Sequence, residues 1–106
     1  MTSFDKRENA FEAEFAHREE VRFKARERAV KLLAFWAAER LGKSGQAGEA
    51  YAQDIVAIDV ASPEPEIALR RIASDLRSRG VSEQEVRQAM NQFLAQARAF
   101  TPGSAS

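Results

Sequence analysis

Cysteine is absent from this 106-residue chain. Its absence excludes disulfides, thiol nucleophiles and cysteine-ligated metal centres, and it suits a reducing compartment. A single histidine, His17, has no second histidine to join it, so a transition-metal site would need carboxylates alone around it. An excess of either charge is missing too, because 16 Lys and Arg balance 16 Asp and Glu. Nothing therefore draws the chain as a whole to nucleic acid or to acidic lipid. No apolar run approaches the roughly 20 residues that cross a bilayer. Charges occupy the start, where a signal peptide carries its apolar segment. The expectation is a cytoplasmic chain, monomeric when free, with no nucleic-acid partner, no cofactor and no direct membrane insertion.

Glycine and proline are scarce and gathered at breakpoints: Gly42, Gly45 and Gly48, then Pro63 and Pro65, then Gly80, then Pro102 and Gly103. The stretches between them read as helix. The first runs from about Ser3 to Leu41, with Thr2 and Asp5 at capping-box spacing and Ser3 as an alternative cap. Its apolar stripe is broken. Phe4, Phe11 and Phe15 fall at offsets of seven and four and share a face. Charged residues then dominate from His17 to Arg28, where only Val21, Phe23 and Ala25 are apolar. A dense stripe resumes with Val30, Leu33, Ala37 and Leu41, flanked by Leu32, Phe35 and Trp36. One potential helix thus carries a light arm and a core-building half.

The second helix is expected over Gln46 to Val60, with Tyr51, Ile55 and Ile58 as its stripe. Its β-branched residues Ile55, Val56, Ile58 and Val60 offer a strand as the competing reading. That strand would have no partner for its backbone. A third helix is expected from Ser62, with Pro63 in its first turn and Gly80 at its end. Ala68 or Leu69, Ile72 and Leu76 form its buried face. The fourth starts at Ser82, where Ser82 and Glu85 make a capping box. Val86, Met90, Phe93, Ala97 and Phe100 line one side of it. The fold class expected is all-α: a four-helix bundle whose long first helix has a mobile N-terminal arm.

Catalytic patterns are absent. Gly42-Lys43-Ser44 resembles the end of a phosphate-binding loop, but the glycine required five positions earlier is Ala37, and a helix precedes it instead of a strand. A helix C-cap followed by a turn is the plainer reading. Lys43 and Ser44 stay as candidates for a weak nucleotide contact. Glu19 and Glu20 point apart on a helix and make no acid–base dyad. The basic residues Arg22, Lys24, Arg26, Arg28 and Lys31 are interleaved with Glu19, Glu20 and Glu27. They read as a solvated face with pairs such as Glu20 with Lys24. No enzyme is expected.

The three leading phenylalanines ask for a functional explanation. Burying three rings yields less free energy than ordering some fifteen residues of backbone costs, and an isolated helix of that length is marginal. A groove on another molecule would supply the missing burial. That is helix-in-groove recognition, with the ordering cost met on binding.

Phe4-Asp5, Arg7-Glu8, Ala10-Phe11-Glu12, Phe15-Ala16-His17, Phe23-Lys24, Lys31-Leu32-Leu33, Trp36-Ala37-Ala38, Leu41-Gly42-Lys43 and Glu49-Ala50-Tyr51-Ala52 together resemble the zeta inhibitor subunit of bacterial F-type ATP synthases. The likeness continues more loosely through Met90, Leu94 and Ala97. The resemblance implies an inhibitory arm over residues 1–19, partly disordered when free, a four-helix globular domain over 20–101 and a flexible tail over 102–106. It implies that the arm enters a catalytic α/β interface near the γ shaft and blocks rotation in the hydrolytic direction. The partners are then the α, β and γ subunits of the soluble head, on the cytoplasmic side of the membrane-bound synthase. The implied partner-binding residues are Phe4, Asp5, Arg7, Glu8, Phe11, Glu12 and Phe15. The phenylalanines are anchors, and Arg7 pairs with carboxylates of the partner. Lys6, Glu14 and Arg18 reverse charges common in the family. A general helical adaptor and a weak adenine-nucleotide-sensing regulator are the rival readings.

Overall fold

The computed structural model describes the backbone of residues 2–62, 64 and 66–100, and the side chains of residues 18–62, 64 and 66–99. Four helices run in chain order: α1 (Thr2–Arg40), α2 (Gly45–Ala61), α3 (Glu66–Leu76) and α4 (Glu83–Phe100). A 3-10 turn over Arg77–Arg79 extends α3. Successive helices are neighbours, joined by short connections. There is no strand among the described residues. Ile55, Val56, Ile58 and Val60 all lie in α2, where Ile55 is wholly buried.

Glycine sets two of the turns. Gly42 has φ 75°, which L side chains rarely adopt. The Lys43 amide donates to the Ala38 carbonyl at 2.8 Å, and the Gly42 amide donates to that of Glu39. This is a Schellman ending, and Gly80 repeats it after α3. The expectation for Ser62 requires a correction. Ser62 does not start the third helix but closes the second. Its hydroxyl donates to the Ile58 carbonyl at 2.6 Å and its amide to that of Asp59, while its own backbone is extended. Ser62 and Glu64 each precede a proline, which disfavours the helical region at both, so α3 begins only at Glu66. Ser82 behaves as expected: its hydroxyl accepts from the Glu85 amide at 3.1 Å.

The spine of the bundle is α1, which packs most extensively against α2 and α4. It contributes mostly small side chains: Ala25, Ala29, Ala34, Ala37 and Ala38 are buried, with Val30 and Leu33 as its larger ones. Small residues let neighbouring backbones approach closely. The other three helices fill the remaining space with Ile55, Ile72, Leu76, Val86 and Met90. No described polar side chain is fully buried.

One hydrogen bond pins α2 to α3: the Tyr51 hydroxyl donates to Asp75 at 2.8 Å. Burial, then the hydrogen bond and the negative charge of Asp75, push the Tyr51 phenol well above its ordinary value of 10.0. An unfolded tyrosine ionises near that ordinary value. The folded chain holds Tyr51 neutral beyond it, so this contribution to stability is full below pH 10.0 and is lost as pH rises toward the folded value. Urea denaturation between pH 9 and 11 should show the fall. Tyr51→Phe should flatten that part of the profile.

Candidate functional site

The expected arm residues Phe4, Asp5, Arg7, Glu8, Phe11, Glu12 and Phe15 have side chains outside the described residues, as do His17 and Phe100. Residues 101–106 lie outside them as well. The structure describes the place where α1 joins the bundle. Ala25 is the first buried residue of α1 among those described. At the usual rise, α1 with its 39 residues is about 58 Å long and α4 with its 18 about 27 Å. The last turn of α4 comes level with the stretch from Val21 to Arg26. Between them lies an open cleft of about 790 Å³, lined by Val21, Arg22, Ala25, Arg26, Leu94 and Arg98.

Arg26 is the tie at this junction. Its guanidinium donates to Asp59 of α2 at 2.8 Å, and the Asp59 side chain is 10 % exposed, the least of any acid in the described ion pairs. Removing Arg26 leaves a largely buried carboxylate without this partner. Arg26→Ala should destabilise the fold by about 1–3 kcal/mol in urea denaturation. Adding Asp59→Asn should recover part of that loss.

Other charged groups are surface features. Glu20 pairs with Lys24 at 3.2 Å, as the spacing predicts, and Glu19 with Arg22 at 3.4 Å. Arg87 of α4 makes a two-pronged contact with Glu66 of α3, both bonds 3.0 Å. That contact holds the Glu66 carboxyl below the usual range. Lys43 and Ser44 sit in the turn after α1. The Lys43 ammonium lies 5.0 Å from the centre of the Tyr51 ring, and Ser44 makes no side-chain cap bond to α2. The described residues contain no cluster of three candidate metal ligands. No described helix is long and apolar enough to cross a membrane.

Comparison with known families decides what this scaffold is. The family model for ATPase inhibitor subunit zeta matches residues 1–99. The chain belongs to this family. No curated protein matches the chain. As an inhibitor subunit it is a regulatory protein and not an enzyme, and it associates with ATP synthase. The match includes the leading segment as well as the bundle, so the resemblance read from Phe4 to Ala52 extends over almost the whole chain.

Sequence reasoning missed the cluster at the base of α1. It read Arg22 and Arg26 as part of a mixed, solvated face and left Arg98 unremarked. The available signal was the composition of α4, which from Gln88 to Phe100 has Arg98 as its sole charged residue.

Proposed function

We propose that the chain inhibits ATP hydrolysis by inserting residues 1–19 as a helical arm into a catalytic α/β interface of the F-type ATP synthase. There the arm meets the γ shaft and blocks rotation in the hydrolytic direction. The globular domain stays outside, on the cytoplasmic side, and anchors the arm. The observation that carries this reading is the family match, which begins at residue 1 and so includes the arm. The length of α1 supports it, since the helix starts at Thr2 while its first buried described residue is Ala25. The apolar content of the leading segment supports it too. Phe11 and Phe15 precede the buried Ala29 and Leu33 by about five helical turns each, so one helical face would serve first a partner and then the chain's own core.

In this reading Phe4, Phe11 and Phe15 are the buried anchors, and Arg7 meets carboxylates of the partner. Glu8, four positions after Phe4 and three before Phe11, borders the phenylalanine face, and Asp5 and Glu12 flank it. The direct test adds the full chain to the purified cognate enzyme head and follows ATP hydrolysis. Inhibition at micromolar or lower concentration is expected. A head that hydrolyses ATP at an unchanged rate in saturating protein would overturn the reading.

A further inference from the structure

We propose that the open face shared by α1 and α2 binds a second copy of this chain, in a weak antiparallel dimer whose seam is Phe23, Glu27, Lys31 and Phe35. The inference goes beyond the proposed function, and its main test needs no enzyme.

The helix lays those four residues in one row. They follow one another at intervals of four, the spacing of a ridge on a helix surface. The turn at Gly42 and the contact of Arg26 with Asp59 bring α2 back along α1. Beside this row a groove of about 280 Å³ opens between the two helices, with Glu27, Lys31 and Phe35 on one wall and Gln53 and Val56 on the other. Val60 continues the α2 wall one turn beyond Val56. Phe23, Phe35 and Val60 are three of the four exposed large apolar side chains among the described residues, and Phe23 and Val60 are more than half exposed. Apolar side chains gathered along one face mark an association surface, whereas scattered ones do not.

Two apolar ends with opposite charges between them make the row self-complementary. A twofold axis level with Ala29 sets Phe23 of each copy against Phe35 of the other, and Glu27 of each against Lys31 of the other. A parallel pairing of the rows would set Glu27 on Glu27 and Lys31 on Lys31, so charge selects the antiparallel one. Both charges are exposed. Neither enters a described ion pair or side-chain hydrogen bond, although Glu20 and Lys24 at the same spacing pair at 3.2 Å. An apolar patch on an unrelated protein would answer to the phenylalanines but not to the order of the charges between them.

Area keeps the dimer weak. The row is about 18 Å long and two helices are about 20 Å across, so the face buries on the order of 800 Å² over both copies, less than a permanent dimer needs. The monomer expected from the sequence would then prevail at low concentration and the dimer at high. Residue 18 of one copy lies level with Arg40 of the other, where α1 ends, so pairing leaves residues 2–17 of both copies uncovered.

The test follows the average mass of the full chain by sedimentation equilibrium, from low micromolar to about millimolar concentration. The mass should rise from 11.8 kDa toward twice that value. Glu27→Lys alone and Lys31→Glu alone should each weaken association by about tenfold or more, since each sets two like-charged pairs across the seam. The chain with both changes should associate as the wild type does. An equimolar mixture of the two single variants should form the mixed dimer in preference to either homodimer. Phe23→Ala with Phe35→Ala should leave a monomer. All four side chains are exposed, and circular dichroism verifies that the helices persist. A wild-type chain that keeps the monomer mass throughout would overturn the proposal. So would a dimer indifferent to the single reversals, which would lie on another surface. A monomeric wild type whose phenylalanine variants inhibit ATP hydrolysis less would assign the face to the enzyme and overturn the proposal too. A dimer that behaves as expected but inhibits nothing would keep this surface and overturn the arm reading.

Discussion

Removing residues 1–19 should abolish inhibition of ATP hydrolysis and leave the bundle folded. That result is expected because the described core begins at Ala25 and takes its large side chains from residues beyond it. Thermal unfolding of the truncated chain should therefore remain cooperative. Within the full chain, Phe11→Ala and Phe15→Ala are the sharper variants. An aromatic anchor seated in a dry groove costs about 2–4 kcal/mol when truncated, so each should raise the half-inhibitory concentration by roughly 30-fold or more. Thermal stability of the free chain should scarcely change with either variant. A large loss of stability would mean that the ring packs on its own bundle, and the source of the arm's binding energy would be gone.

The second large effect belongs to the core. Leu33→Ala should destabilise the chain by about 2–5 kcal/mol. Leu33 is 1 % exposed and sits where α1 meets α3 and α4, in a helix whose other buried residues are mostly alanines. For a domain of this size the melting temperature should fall by at least about 10 °C. Differential scanning calorimetry gives the readout. Inhibition should weaken only as the folded fraction falls. A variant that loses inhibition while fully folded would show that α1 acts through a more distant coupling.

Much of the bundle could be read from the chain because its signals are local. The Ser82 cap, the glycines at 42 and 80, and the stripe Val86, Met90 and Ala97 depend on neighbours three or four positions away. Each appears in the structure as expected. The limits are equally specific. Pro63 directly after Ser62 invited a helix start, yet the hydroxyl of that serine reaches back to Ile58. Local spacing could not tell a cap that opens one helix from a residue that closes the last. Alanine hid most of the α1 core: Ala25 is 2 % exposed, whereas nearby Phe23, the more conspicuous apolar residue, is 54 % exposed. Helical phase decides that outcome: Ala25 falls on the stripe of Ala29, Leu33 and Ala37, and Phe23 lies two positions off it. Arg26 with Asp59, Arg87 with Glu66 and Tyr51 with Asp75 join residues far apart in the chain, so no pattern along the sequence announces them.

The same division holds for the functional reading. The leading phenylalanines drew attention by their spacing ahead of a charged stretch, the resemblance supplied the bounds 1–19, and the family match includes them. The cleft at the α1–α4 junction needed the fold, because Arg22 and Arg98 line it together only when α4 lies alongside α1.

Amide hydrogen exchange of the full chain, free and bound to the ATP synthase head, tests the central claim most directly. Residues 2–19 should exchange rapidly in the free chain and gain strong protection on binding, while the amides around Leu33, Ile55 and Ile72 stay protected in both states. Equal protection of residues 2–19 with and without the enzyme would contradict the claim that this segment takes its burial from another molecule.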